Sequence, residues 1–176
     1  RAVAEAGLPA GPPYDPSGAM RQPGFKVLHV QDIDFRSHHP TLGAALATLR
    51  AWSEDHPDHL PVVITVNAKD GAIDRPGFAR PAPFTSAALD SLDAAIVEGL
   101  GPERLIVPDD VRGGYPTLED AVLAGRWPTV ADARGRFLWV LDERGEKRDR
   151  YLDGHPSLQG RVLFANVEPG RPEAAR

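Results

Sequence analysis

The stretch PVVITVN at residues 61–67 decides the fold class of this chain. Its apolar residues stand at consecutive rather than alternate positions, which is typical of a parallel strand covered on both faces. The segment before it has a helical period, between a capping Thr41 and a stop at Pro57, with apolar residues at Leu42, Ala45, Leu46, Leu49 and Trp52. A helix followed by a buried strand is therefore predicted here.

The same alternation of strand and helix recurs along the chain. Further strands are predicted by four apolar runs: KVLHV (26–30), RLIV (104–107), FLWVL (137–141) and RVLF (161–164). A second helix is predicted after Thr85 or Ser86, ending at Gly99 and Gly101. Short helices are predicted after Thr117 and after Thr129, because each threonine precedes an aspartate by three residues.

Repeated β-then-α units imply parallel strands joined by right-handed crossovers, in an open doubly wound sheet or a closed barrel. No glycine fingerprint for phosphate binding follows these strands, which favours the barrel. A full barrel has eight βα units, so we expect an α/β fold of the TIM-barrel type whose barrel is incomplete in this chain. Residues 1–23, rich in Pro and Gly, are predicted to be an irregular lead-in, and residues 24–176 to be part of a single barrel domain.

Composition limits the possible functions. The chain has 41% hydrophobic and 26% charged residues, as soluble globular domains do. Its net charge of -5 argues against a nucleic-acid partner. The sequence contains neither an apolar run of the ~20 residues that span a bilayer nor the layout of a signal peptide, so we expect no transmembrane segment and no targeting signal in this chain. Without cysteine, disulfides and thiolate metal sites are excluded.

The carboxyl ends of parallel strands gather the active site in α/β folds, and four polar residues leave such ends: His29, Asn67, Lys69 and Asp142. Strand alternation places Asn67 in phase with Val63 and Thr65, and Asp142 in phase with Leu138 and Val140. We therefore expect the polar members to converge at the barrel mouth, with His29, Asn67 and Lys69 directed to one pocket.

Each of these residues also has a structural explanation. His29 is a candidate general acid or base, but a lone histidine is also compatible with a structural role, and in the polar loop after it we expect Asp34 to pair with Arg36. Asn67 offers an amide oxygen to a hard cation such as calcium, and Lys69 a charge to a phosphate oxygen. The alternative is that residues 67–71 are only a turn. Asp142 is a candidate contact for a polar head group, or the start of a solvated charged loop at residues 142–150.

The segment PGFKVLHVQDIDFRS (23–37) resembles the one that carries the second catalytic histidine in bacterial calcium-dependent phosphatidylinositol-specific phospholipases C. Further segments resemble that family in order, around Trp52 and at residues 59–64, 68–70, 108–113, 127–129, 137–142 and 154–158. The resemblance implies a TIM-barrel phosphodiesterase in which the inositol 2-hydroxyl attacks phosphorus, diacylglycerol leaves and a cyclic inositol phosphate forms.

What the resemblance implies for individual residues is equally specific. His29 would transfer a proton, Asn67 would bind Ca2+, and Lys69 and Asp142 would bind the substrate. The partner would be a phosphatidylinositol head group at a membrane surface, and we expect a monomer that is secreted or displayed at the cell surface.

Two departures from the family pattern qualify this expectation. The family's first catalytic histidine and its early acidic pair lie N-terminal to anything present here, so we expect the chain to be a fragment that is inactive alone. Asn67 stands where the family's Glu-x-Lys pattern has glutamate, which predicts weak calcium binding or a divergent subfamily. The alternatives are a glycerophosphodiester phosphodiesterase-like enzyme, or a barrel that binds a polyol or phosphate without turnover.

Overall fold

The computed structural model describes residue 13 and residues 15–175. The chain forms two compact units, Arg1–Ala45 and Leu46–Arg176. The predicted lead-in lies partly outside the described residues, and its described part contains a single 3-10 turn at Ala19–Arg21. Whether residues 24–176 belong to one domain stays a prediction.

The second unit is built on a parallel sheet of four strands: β1 (Val62–Val66), β2 (Leu105–Ile106), β3 (Phe137–Leu141) and β4 (Phe164–Ala165). Strand β1 pairs with β3 along its whole length. Strand β2 pairs with the first two residues of β3, and β4 pairs with the last two. Because Val140 pairs with both Thr65 and Phe164, β1 and β4 lie on opposite edges of β3. The predicted parallel α/β architecture is confirmed.

This sheet is open rather than closed into a barrel within the described part of the chain. Strand β1 pairs directly with β3, so the very short β2 does not lie between them. The faces of the sheet differ in burial. Phe137, Trp139 and Leu141 are buried on one face of β3, whereas Val63, on the opposite face of β1, is 63% exposed. An exposed apolar face is what an incomplete barrel leaves on the side that would line its interior.

The described part of the chain contains five α-helices: α1 (Leu42–Asp55), α2 (Ser86–Leu100), α3 (Pro108–Arg112), α4 (Leu118–Leu123) and α5 (Glu146–Leu152). Three predicted threonine caps are present. The hydroxyl oxygens of Thr41, Thr85 and Thr117 accept hydrogen bonds from backbone N–H groups three residues on, at 3.3, 3.2 and 3.0 Å. Each cap satisfies an N–H group that the helix itself leaves unpaired. None of the helices in the described residues is both long and apolar enough to cross a membrane.

Two predicted elements are wrong. Residues 26–30 do not form a parallel strand, because their backbone groups bond within the first unit instead: Lys26 forms an isolated antiparallel bridge with Thr41, and Val30 forms one with Asp34. Residues 129–135 form turns and no helix, although Thr129 still accepts a hydrogen bond from the Asp132 N–H at 3.2 Å. Gly135, whose φ is +70°, follows at once and ends the segment before a helix can extend.

Gly99 also plays a different part from the one predicted. Helix α2 passes through it and ends at Leu100, with Gly101 as its C-cap. A Cβ atom at Gly99 would lie 2.8 Å from the side chain of Leu46 on α1. Glycine is therefore needed there for close packing of side chain against backbone, not to stop the helix.

A buried polar network joins α2, α5 and the chain that enters β4. Arg161 is 4% exposed, and its guanidinium lies 4.2 Å from the ring centre of Tyr151 and contacts Asp90 at 2.5 Å and Asp93 at 3.5 Å. The Tyr151 hydroxyl donates to Asp93 at 2.7 Å and accepts from the Leu163 N–H at 2.9 Å. Burial raises the pKa of Asp93 and that of Tyr151 above their ordinary values. These groups depend on each other for hydrogen bonds because water cannot replace them.

Replacing Tyr151 by phenylalanine should therefore destabilise the protein. The change leaves an oxygen of Asp93 and the N–H of Leu163 without their partner, which costs about 1–3 kcal/mol for a buried group. Equilibrium unfolding in urea measures this. Tyr115→Phe is the matched control, since Tyr115 is 37% exposed, and it should change stability by no more than about 0.5 kcal/mol. Equal effects of the two substitutions would contradict the network's role.

Candidate active site

His29 stands in a tight, exposed loop of the first unit. The backbone N–H groups of His29 and Val30 both donate to the carbonyl of Asp34, at 3.2 and 2.9 Å. Between them and Asp34, Asp32 has a φ of +62°, and the Ile33 N–H donates to the Gln31 carbonyl at 2.8 Å. A non-glycine residue with positive φ in a three-residue turn is strained, and such strain is concentrated at functional sites.

The side chain of His29 is oriented by Asp34. Its Nδ1 lies 2.9 Å from Asp34 Oδ2, in place of the expected pairing of Asp34 with Arg36. An ionised carboxylate can only accept, so Nδ1 carries the proton in this contact. Because the two side chains are 68% and 63% exposed, the pair adds little to stability. Its consequence is that the ring is held in one orientation with the proton on Nδ1.

In the second unit, three polar side chains meet where parallel strands end. Asn67 follows β1, Asp142 follows β3 and Asn166 follows β4. Asn67 Nδ2 donates to the Asp142 carbonyl at 3.0 Å and to its Oδ2 at 3.3 Å, while Asn166 Nδ2 donates to Asp142 Oδ1 at 2.9 Å. We call Asn67, Asp142 and Asn166 the strand-end cluster. The alternation of side chains along the strands predicted that Asn67 and Asp142 lie close together. The predicted pocket shared by His29, Asn67 and Lys69 stays a prediction.

The electrostatics of the cluster favour an ionised aspartate. Hydrogen bonds from Asn166 and then from Asn67 lower the pKa of Asp142 below its ordinary value, with a smaller contribution from the charge of Arg144. Asp142 is exposed, so its carboxylate remains accessible to a ligand. The cluster thus presents one negative charge flanked by two neutral amides.

Sequence reasoning missed Asn166. The fourth apolar run was assigned to residues 161–164, whereas β4 is Phe164–Ala165, so the strand ends one residue later than expected. Asn166 is the first polar residue after the apolar run at residues 162–165, and this was the signal available in the sequence.

Lys69 and Asp70, just beyond Asn67, have different environments. Lys69 is exposed, and its backbone N–H donates to the Asn67 carbonyl at 3.0 Å. Asp70 is bound within the structure: Lys147 Nζ lies 2.8 Å from its Oδ1, and the Phe84 N–H donates to its Oδ2 at 2.9 Å. These contacts, the Lys147 hydrogen bond first, lower the pKa of Asp70. Asp70 therefore secures the loop, and it is Lys69 that faces solvent.

Two further polar residues, Tyr151 and His155, have structural roles. Tyr151 is fully buried in the Arg161 network. His155 Nδ1 lies 2.8 Å from the carbonyl of Gln159 and closes a turn.

The strand-end cluster contains the types of oxygen atom that bind a hard cation. Carboxylate and amide oxygens are the ligands that calcium takes, and the strand-end cluster offers both. Among the described residues, however, no group of three or more His, Cys, Asp or Glu side chains is placed to hold a metal ion. Calcium takes six to eight oxygen ligands, so the cluster fits a calcium site only as a part of it.

Comparison with known proteins adds a family and a fold. The model of a family described as phosphoinositide phospholipase C, Ca2+-dependent, matches residues 2–176. A Ca2+-dependent phosphatidylinositol-specific phospholipase C from Streptomyces antibioticus is 28% identical, with a TM-score of 0.54 over 78% of this chain and 46% of that chain. None of the curated proteins matches.

A second solved structure shows the same fold. It is a calcium-dependent phosphoinositol-specific phospholipase C from a Gram-negative Pseudomonas species, described as an apo form and myo-inositol complex. Its identity is 21% and its TM-score 0.55, over 76% of this chain and 44% of that chain. The chain thus spans less than half the length of either protein.

The Asp70–Lys147 ion pair should make the protein more sensitive to acid. Because the folded-state pKa of Asp70 is lowered, its contribution is present above the ordinary value of 3.8 and is lost as pH falls through the lowered pKa. Asp70→Asn should cost about 1–3 kcal/mol at pH 7, and this difference should shrink below pH 3.8. Urea unfolding at several pH values measures it. The fully exposed Asp74, changed to Asn, is the control. A difference that does not depend on pH would contradict the assignment.

Proposed function

Because this chain belongs to the Ca2+-dependent phosphoinositide phospholipase C family, we propose that the protein cleaves phosphatidylinositol to diacylglycerol and a cyclic inositol phosphate. The family match over residues 2–176 carries this proposal. The Streptomyces enzyme, at 28% identity, supports it. In the reaction the inositol 2-hydroxyl oxygen bonds to phosphorus, the bond from phosphorus to the diacylglycerol oxygen breaks, and one proton passes from the hydroxyl to the leaving oxygen.

We assign His29 to one side of that proton transfer. The contact between its Nδ1 and Asp34, at 2.9 Å, supports the assignment because it sets the tautomer and the orientation of the imidazole ring. Asp34 would act through His29 and is therefore a positioning residue.

Lys69 and Asp142 are proposed to bind the substrate. An exposed ammonium group such as that of Lys69 attracts a phosphate oxygen. The ionised carboxylate of Asp142 accepts hydrogen bonds and so suits the ring hydroxyls of inositol. The head group would be presented by a membrane surface, to a secreted or cell-surface monomer.

Asn67 is proposed to hold Ca2+ through its amide oxygen, together with oxygens from outside the strand-end cluster. Bound calcium lowers the pKa of the attacking hydroxyl and stabilises negative charge on the phosphoryl oxygens. An amide ligand carries no charge, so the affinity for calcium is expected to be lower than with a carboxylate at this position.

A second function is favoured by one observation. The strand-end cluster contains a single carboxylate, as expected of a barrel that binds a polyol or phosphate without turnover. Incubation of the full-length protein with phosphatidylinositol vesicles and calcium, followed by 31P NMR and mass analysis, separates the functions. Cyclic inositol phosphate supports the lipase. Release of glycerol phosphate from glycerophosphoinositol in a parallel incubation indicates a glycerophosphodiester phosphodiesterase, and no product with retained myo-inositol binding indicates the binding protein.

His29→Ala in the full-length protein should lower kcat for phosphatidylinositol by roughly 10²–10⁴-fold, the usual contribution of general acid–base catalysis. KM should change little, because proton transfer occurs in the transition state. Steady-state kinetics on vesicles measures both constants. His38→Ala removes an exposed imidazole from the same unit and should leave both unchanged. Full activity of His29→Ala would remove the basis for its assignment.

The calcium response should depend on Asn67. Asn67→Ala should raise the calcium concentration that gives half-maximal activity, since an oxygen ligand is lost, and Asn67→Glu should lower it, since a charged ligand is gained. Calorimetric titration with calcium provides a readout that does not require turnover. Gln159→Ala, which removes an exposed amide elsewhere, serves as the control. If both Asn67 substitutions leave calcium affinity unchanged, Asn67 is not a ligand.

A further inference from the structure

Asn166 is held next to Asp142 by the strand pairing. Its backbone N–H donates to the Leu141 carbonyl at 3.2 Å, which continues the pairing of β4 with β3 by one residue. On the other side of Asp142, the Asp142 N–H donates to the Val66 carbonyl at 2.9 Å, which continues the pairing of β3 with β1. The side chain of Asp142 therefore leaves the sheet between Asn67, which directly follows β1, and Asn166, whose N–H is bonded to β3.

The two amide groups donate to different oxygens of the Asp142 carboxylate. Asn166 donates to Oδ1 at 2.9 Å and Asn67 to Oδ2 at 3.3 Å. A carboxylate has about four lone-pair positions, so each oxygen keeps one acceptor position after these bonds. Two acceptor positions in a fixed plane match two neighbouring hydroxyl groups of a polyol.

Asp142 would have hydrogen-bond partners even without these two amides. Asp142 is exposed, and water would serve an exposed carboxylate equally well. What the amides add is restriction of the carboxylate to one orientation, which lowers the entropy cost of binding a ligand.

We propose that Asn166 is a positioning residue which, together with Asn67, fixes the carboxylate of Asp142 so that its remaining lone pairs accept hydrogen bonds from the hydroxyls of a polyol head group. The inference rests on the proposed function for the identity of that head group. The bond between Asn166 and Asp142 also links β3 to a β4 of only two residues, and the experiment has to separate this structural contribution from positioning.

Binding of myo-inositol to the full-length protein, measured by calorimetry, gives a readout without turnover. Asn166→Ala should weaken it by about 5–30-fold, and Gln159→Ala should not change it. In vesicle kinetics the same substitution should raise KM more than it lowers kcat. Absence of saturable myo-inositol binding by the unchanged protein, or equal affinity of Asn166→Ala, would overturn the proposal.

An exchange of the two side chains separates positioning from structural linkage. The double variant Asp142→Asn with Asn166→Asp restores an amide–carboxylate pair between β3 and β4 but moves the charge to the other strand. We expect thermal stability to recover relative to Asn166→Ala while myo-inositol binding stays weak. Recovery of both would assign Asn166 a purely structural role and overturn the proposal. Single Asn166→Asp, which sets two carboxylates side by side, should also weaken binding and keeps the test decisive if the exchange variant does not fold.

Failure of the proposed function gives a different result. If Asn166→Ala weakens myo-inositol binding but the unchanged protein releases no product from phosphatidylinositol, the positioning role holds and the lipase activity does not. If the lipid is cleaved and neither inositol binding nor KM responds to Asn166→Ala, the activity holds and the positioning role does not.

Discussion

The pairing of β3 on both of its edges is the constraint on which the second unit depends. A central strand has to satisfy its backbone N–H and C=O groups in two directions, and residues 137–141 do so with β1 on one side and with β2 and β4 on the other. Because all pairs are parallel, the carboxyl ends of β1, β3 and β4 lie at one edge of the sheet. This arrangement brings Asn67, Asp142 and Asn166 into contact from three distant parts of the chain.

The buried network around Arg161 also contributes to the position of β4. It fixes the Leu163 N–H on the Tyr151 hydroxyl, three residues before Asn166, and so limits the movement of the chain as it enters β4. A charge buried as deeply as that of Arg161 is retained only when carboxylates and carbonyl groups surround it, as Asp90, Asp93 and the Tyr151 carbonyl do here. The placement of Asn166 thus depends in part on contacts that lie outside the strand-end cluster.

The loop that carries His29 is held by local hydrogen bonds rather than by a buried network. The backbone hydrogen bonds of His29 and Val30 to Asp34 and of Ile33 to Gln31 are local, and the side chains of His29 and Asp34 are largely exposed. Turn conformation and the contact of His29 with Asp34 therefore contribute to the geometry of the loop. A general acid or base needs an oriented ring of this kind.

The sequence by itself determined the α/β class, the strands at residues 62–66 and 137–141, and the threonine caps, because these follow from local hydrophobic pattern and local hydrogen bonds. It also predicted that Asn67 and Asp142 share a face, since alternation along a strand is fixed by backbone geometry. Features that depend on contacts between distant residues are visible only in the tertiary structure. KVLHV has the composition of a strand, but the N–H groups of His29 and Val30 found their acceptor within their own loop. The environments of Asn166 and Arg161 depend on the pairing of β4 with β3 and on the packing of α5 against α2, because their partners lie in distant parts of the chain.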